Sequence, residues 1–109
     1  MKVKNYLEVK AIPELPGVLK REVITAQDGA PNFCMRVFEV EPGNSTPNHT
    51  HSWEHEVFVL AGEGAAVGEG GETPIAEGSV VFIAPNEPHC LVNKSDQPLR
   101  FICLIPLPE

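Results

Sequence analysis

Three of the chain's four histidines fall within seven residues: His49, His51 and His55, in the stretch PNHTHSWEHEVFVLAGEG that begins at Pro47. The fourth, His89, stands in APNEPHC. Imidazole nitrogen suits first-row transition metals, so a cluster of this kind points first to a metal site. A single His on a strand is usually a polar surface residue or a satisfied core residue, and H-x-H alone is a weak signal. Three in seven residues, with the fourth behind a Pro-rich turn, are harder to explain that way.

Such a site needs elements that bring the rings to one place. Successive side chains on a strand point to opposite faces, so His49 and His51, two apart, share a face if that segment is extended. SWE (52–54) breaks the alternation and can form a tight connection. His55 then opens the next apolar run. A strand, a short turn and a second strand return His55 beside His51, and a neighbouring strand can bring His89 across.

The rest of the chain offers those strands. Eleven Pro and nine Gly cut it into short pieces. Between them lie runs rich in Val, Ile, Phe and Leu, the strand signature: FCMRVFEV (33–40), HEVFVLAG (55–62), SVVFIA (79–84) and LRFICLI (99–105). AAVGEGGETPIAEG reads as a hairpin around Gly70 and Gly71. No window gives a helical period with caps. Many short strands at this spacing predict a sandwich or barrel. Phe101, Cys103 and Ile105 share one side of FICLI, with Ile102 and Leu104 on the other. A strand apolar on both sides predicts a barrel whose outside is also covered, by a second copy of the chain. Residues 1–25, with Pro13 and Pro16, read as an N-terminal arm or edge strands.

Composition sets further bounds. The 109 residues suit one domain spanning 1–109. Hydrophobic residues make up 42%, enough to build a core. The formal net charge is −7 and the eight Lys and Arg are not clustered, which disfavours nucleic acid and anionic membranes as partners. MKVKNYLEVK has no apolar h-region and does not read as a signal peptide. Cys34, Cys90 and Cys103 are widely spaced with no CxxC, which predicts thiols in a reducing cytoplasm.

These residues carry a resemblance. Gly43, His49, His51 and Gly62 match the first motif of the cupins, G-x5-HxH-x3-E-x6-G, with His55 standing where that motif usually has glutamate. Gly78, His89 and Asn93 match the second, G-x5-PxG-x2-H-x3-N, with Ala84 in place of Pro and Asn86 in place of Gly. Asn tolerates a left-handed backbone, so the turn can survive. HTHSWEHEVFVLAG, PNEPH and CLIP are similar to the small single-domain cupins that bind manganese through four histidines, over about 30–106. The resemblance implies an all-β, double-stranded β-helix (jelly-roll) barrel. It implies His49, His51, His55 and His89 as ligands of one divalent metal per chain, Mn in the cell, with Zn, Ni, Fe or Cu able to replace it in a purified sample. Glu56 is an alternative ligand in place of His55, because some cupins space the glutamate one residue further. The six-residue spacing to Gly62 counts back to His55.

Four neutral imidazoles would leave the ion its full charge, and a six-coordinate ion would keep two open positions. The implied activity is that of a metal-dependent enzyme on a small oxygen-rich molecule, an oxidoreductase (dioxygenase-like) or an isomerase or lyase. The alternative is a metal- or metabolite-binding module without turnover, a sensor or store. Other site candidates are Trp53, which could cap the pocket or pack the hairpin, and Phe101, Cys103 and Ile105, which could line the cavity. Arg36 could orient an anionic substrate. An exposed or interface arginine is the commoner fate of such a residue and the expectation here. Glu54 and Glu56 are expected to be solvated, and Cys90 to face away from the ligands. The expected assembly is a homodimer.

Overall fold

The chain's structure, a computed structural model, describes residues 1–108. Nine strands carry it: β1 (Ile12–Leu15), β2 (Val18–Ile24), β3 (Phe33–Val40), β4 (His55–Ala61), β5 (Glu63–Gly68), β6 (Gly71–Ala76), β7 (Val80–Ile83), β8 (Cys90–Val92) and β9 (Leu99–Pro106). The helical content among the described residues is two 3-10 turns of three residues, Tyr6–Glu8 and Ala26–Asp28. No helix of the described residues is long and apolar enough to cross a membrane.

The strands form two antiparallel sheets. One has six strands in the order β1-β2-β3-β9-β4-β7, the other three in the order β6-β5-β8. Alternation along the strands decides what lies inside. On β3, Cys34, Phe38 and Val40 are buried; on β9, Leu99, Phe101, Cys103 and Ile105; on β4, His55, Val57 and Val59. The three-stranded sheet adds Ile75 and Leu91 to the same apolar cluster, so the inner faces of the two sheets share one core. Phe38 pairs with Phe101 across β3 and β9, and the rings stack with centroids 5.3 Å apart. Burial of these rings together with the aliphatic side chains around them drives the two sheets together.

The expected strands at 33–40, 55–62, 79–84 and 99–105 are β3, β4, β7 and β9 within a residue or two. The hairpin at Gly70–Gly71 is β5 and β6, in register from Glu63↔Ala76 to Gly68↔Gly71. The segment before residue 30 supplies β1 and β2, and β2 runs antiparallel along β3 from Val18↔Val40 to Ile24↔Met35. One expectation needs correcting. His49 and His51 lie outside the named strands, and His49 makes only an isolated bridge, to His89. β8 is a strand the sequence does not announce, because three residues between His89 and Asn93 are too few to show a period.

Two backbone positions set the ends of the elements that hold the histidines. Gly62, between β4 and β5, has φ of 91°, and a Cβ there would meet the Pro98 carbonyl oxygen at 2.4 Å. Only glycine satisfies both conditions. Asn86 has φ of 67° in the turn after β7, where Glu87 N–H donates to the Ala84 carbonyl. Pro85 followed by a left-handed Asn86 is the residue order a type II turn requires. The Asn that stands for the motif's Gly therefore does the same conformational work.

Candidate metal centre

His49 and His89 face each other through two backbone hydrogen bonds, His49 N to His89 O at 3.3 Å and His89 N to His49 O at 3.1 Å. The Asn86 N–H donates to the His51 carbonyl at 2.6 Å, tying the loop that carries His51 to the turn that precedes His89. His55 is fixed from a third direction as the first residue of β4, opposite Ile83 on β7. The ring nitrogens of His49, His51 and His89 lie within 4.8 Å of one another, so these three could hold a metal ion. His55 stands beside them, its ring centroid 4.8 Å from that of His89 and 5.0 Å from that of His51.

Hydrogen bonds on the far side of two rings choose their tautomers. His89 Nδ1 lies 2.8 Å from the Glu87 carbonyl oxygen. A carbonyl only accepts, so Nδ1 carries a proton, and Nε2 is the nitrogen whose lone pair the neutral ring can offer. His55 Nδ1 lies 3.4 Å from Cys103 Sγ. Its Nε2 is buried with no hydrogen-bond partner. A buried polar atom without a partner needs an explanation, and a missing ligand atom is one. If Nδ1–H donates to the sulfur, Nε2 is a lone pair ready for a cation, and the donor set fits a divalent transition metal.

Electrostatics agree with neutral imidazoles. Burial pushes His55, 5% exposed, down to about 3, with the other histidines and Arg36 adding to the shift. Burial also lowers His49 and His51, with neighbouring imidazoles as secondary causes. A ring that resists protonation at neutral pH is already in the state a metal needs.

A cavity of about 310 Å³ opens beside the cluster. All four histidines line it, as do Arg36, Trp53, Phe101, Cys103 and Ile105. Trp53 both packs against the core cluster and stacks on His51, with ring centroids 4.5 Å apart and planes at 12°. Arg36 is not the exposed arginine expected. It is partly buried and donates to Cys103 Sγ at 3.2 Å, with its guanidinium carbon 5.1 Å from the centre of the Phe38 ring. The physical reason is alternation: Arg36 shares a strand face with Cys34, Phe38 and Val40. That signal was readable in FCMRVFEV. Glu54 and Glu56 are exposed, as expected. Cys90 is buried but lines a different cavity, behind His89. The sequence reading missed Phe38, Leu91 and the Glu14–Lys20 pair, which also line the site.

Known proteins resemble the chain along most of its length. The oxalate-binding protein of Thermotoga maritima is 34% identical over 68 residues, 62% of this chain and 56% of that protein. The aligned part thus spans little more than half of that relative. Among solved structures, the polyketide cyclase RemF of Streptomyces resistomycificus superposes with a TM-score of 0.88 at 38% identity, over 97% of this chain and 79% of that one. A predicted oxalate decarboxylase of Thermotoga maritima superposes with a TM-score of 0.83 at 25% identity, over 97% and 99% of the two chains. The Cupin domain family matches residues 36–105, which hold all four histidines, the whole of β4, nearly all of β9 and residues 36–40 of β3. With its two antiparallel sheets closed over one core and its histidines at the cavity, the chain belongs to the cupin family.

Proposed function

We propose that the chain is a metal-dependent cupin enzyme. His49, His51, His55 and His89 hold one divalent transition metal, manganese in the cell, and the cavity beside them binds a small oxygen-rich molecule. The observation that carries this reading is His55 Nε2, buried without a partner while Nδ1 of the same ring is held by Cys103. A bound divalent cation supplies Lewis acidity toward a carbonyl or enol oxygen. The protein's own residues do the rest. Arg36 supplies a fixed positive charge for an anionic oxygen. Phe38, Phe101 and Trp53 keep water from the bound molecule. The neutral imidazoles leave the ion's charge undiminished. These features suit isomerase or lyase chemistry and dioxygenase-like cleavage alike.

Relatives named for a polyketide cyclase and for oxalate binding support an oxygen-rich ligand. The second of those names favours the alternative, a binding module without turnover, used as a sensor or store. Turnover by the metal-loaded protein separates the two readings.

The protein works as a homodimer in the cytoplasm. Phe58, Val80 and Phe82 support the pairing: they stand 46%, 75% and 63% exposed on the outer side of β4 and β7, and β7 is a sheet edge.

The test of the metal centre is a calorimetric titration of metal-stripped, untagged protein with Mn²⁺. One site per chain is expected. No saturable binding would refute the centre.

A further inference from the structure

Three buried side-chain nitrogens lack a hydrogen-bond partner among the described residues: Arg36 Nε, Trp53 Nε1 and His55 Nε2. All three belong to residues that line the same cavity. His55 Nε2 is accounted for by a metal. The other two are not. An arginine Nε–H and an indole N–H can only donate, so each calls for an acceptor atom. Natural proteins leave few buried donors unmatched, and here both belong to residues of one cavity wall.

The charge balance of the cavity points the same way. Its charged lining residues are Glu14, Lys20 and Arg36. Glu14 and Lys20 pair with each other at 3.2 Å. Among the described residues no carboxylate lies within ion-pair distance of Arg36, whose named contacts are the Cys103 sulfur and the Phe38 ring. One partly buried positive charge is therefore left over before any cation binds, and a charge drawn out of water is costly unless it is matched.

The walls decide what kind of anion. Phe38 and Phe101 stack face to face, and Leu91, Val57 and Ile105 continue an apolar surface around them. The volume of about 310 Å³ falls at the lower end of cavities that enclose drug-sized ligands. A two-carbon dianion such as oxalate would satisfy Arg36 but leave most of the volume unfilled. A flat ring system bearing two neighbouring oxygens, one of them ionised, would match the whole lining. Its ionised oxygen would face the Arg36 charge and the metal, and its ring would lie against the apolar wall.

We infer that the cavity selects a planar aromatic or enolised anion with neighbouring oxygens, such as a hydroxy-aromatic acid or an enolic 1,3-diketone, over a small dicarboxylate. The inference names the ligand class of the proposed metal site and rests on that reading for the role of His55.

The experiment compares two probes, 3-hydroxy-2-naphthoate and oxalate, by calorimetry on the full chain loaded with diamagnetic Zn²⁺ and on the metal-free chain. Trp53 is the only tryptophan, so its indole N–H gives a single NMR signal that reports whether a probe enters the cavity. The naphthoate is expected to bind at least about tenfold more tightly than oxalate, to shift the indole signal, and to lose about tenfold or more in affinity in Arg36→Met. Oxalate binding as tightly as the naphthoate, or naphthoate binding that leaves the indole signal in place, would overturn the inference. So would undetectable naphthoate binding. The wild-type comparison decides the matter even if Arg36→Met fails to fold. A chain that binds one Zn²⁺ yet prefers oxalate defeats the ligand class and spares the metal centre. A chain that binds no Zn²⁺ yet prefers the naphthoate does the reverse.

Discussion

His55 Nδ1 and Cys103 Sγ lie 3.4 Å apart, on β4 and β9, and the same sulfur accepts a hydrogen bond from Arg36 at 3.2 Å. One buried thiol thus touches both the most buried histidine and the unmatched cation. Burial raises the Cys103 thiol above its ordinary range, with Arg36 opposing, so the sulfur stays protonated and acts as a neutral acceptor. If it orients His55, replacing it should loosen that ring. Cys103→Val is expected to weaken metal binding by about 10–100-fold, the usual cost of losing a partner that orients a ligand. Cys103→Ser keeps an acceptor and should recover most of the loss. Competition titration against a chromophoric chelator measures both. Equal affinity in Cys103→Val and the unchanged chain would show that the contact is packing alone.

The lowered His55 makes stability depend on pH in a definite direction. In the unfolded chain the ring takes a proton near pH 6.5; in the folded, metal-free chain it resists until about pH 3. Between these values the unfolded state binds more protons, so stability falls as pH is lowered through the window. Each unit well below the upper value removes about 1.4 kcal/mol. Urea midpoints measured from neutral pH down to roughly pH 5 should fall in the metal-free protein. The decline should be shallower in His55→Leu. An identical decline in the variant would remove His55 as its source.

Asn86 links backbone geometry to the site. Its φ of 67° suits Asn and Gly but not a β-branched residue, and its N–H holds the His51 carbonyl. Asn86→Val is expected to cost about 1–3 kcal/mol and to weaken metal binding as the turn before His89 shifts. Asn86→Gly should stay within about 1 kcal/mol of the unchanged chain. Thermal unfolding of both variants, with and without metal, checks the order. A stable Asn86→Val with full metal affinity would contradict it.

The outer side of β4 and β7 gives a separate test. Phe82→Glu places a charge in the exposed apolar patch that contains Phe58 and Val80. Light scattering at micromolar concentration should show a dimer for the unchanged chain and a monomer for the variant. A monomeric unchanged chain would refute the pairing.

Much of this architecture was legible before any coordinates. FCMRVFEV, HEVFVLAG and LRFICLI are long enough to show their apolar faces, and they became β3, β4 and β9, the strands that build the cavity wall. Gly62, Gly78 and Asn86 marked turns because their positive φ is rare for other residues. Three things were harder to read. β8 is too short to display a period. His51 is held by a backbone bond to Asn86, and no side-chain pattern encodes such a bond. Arg36 looked like a surface residue because charge usually is one. Its place on the inner face was implied by Cys34, Phe38 and Val40 at even spacing, but only the assembled barrel shows that it meets Cys103 instead of water.

The most direct test of the central claim is elemental analysis of untagged protein and two variants. About one transition metal per chain is expected, retained in Glu56→Gln and largely lost in His55→Ala. Glu56 is exposed and His55 is 5% exposed at the cluster, so the two variants ask which residue is the ligand. Metal kept in His55→Ala and lost in Glu56→Gln would make Glu56 the ligand. A folded chain that carries no metal and takes none up would contradict the metal centre itself.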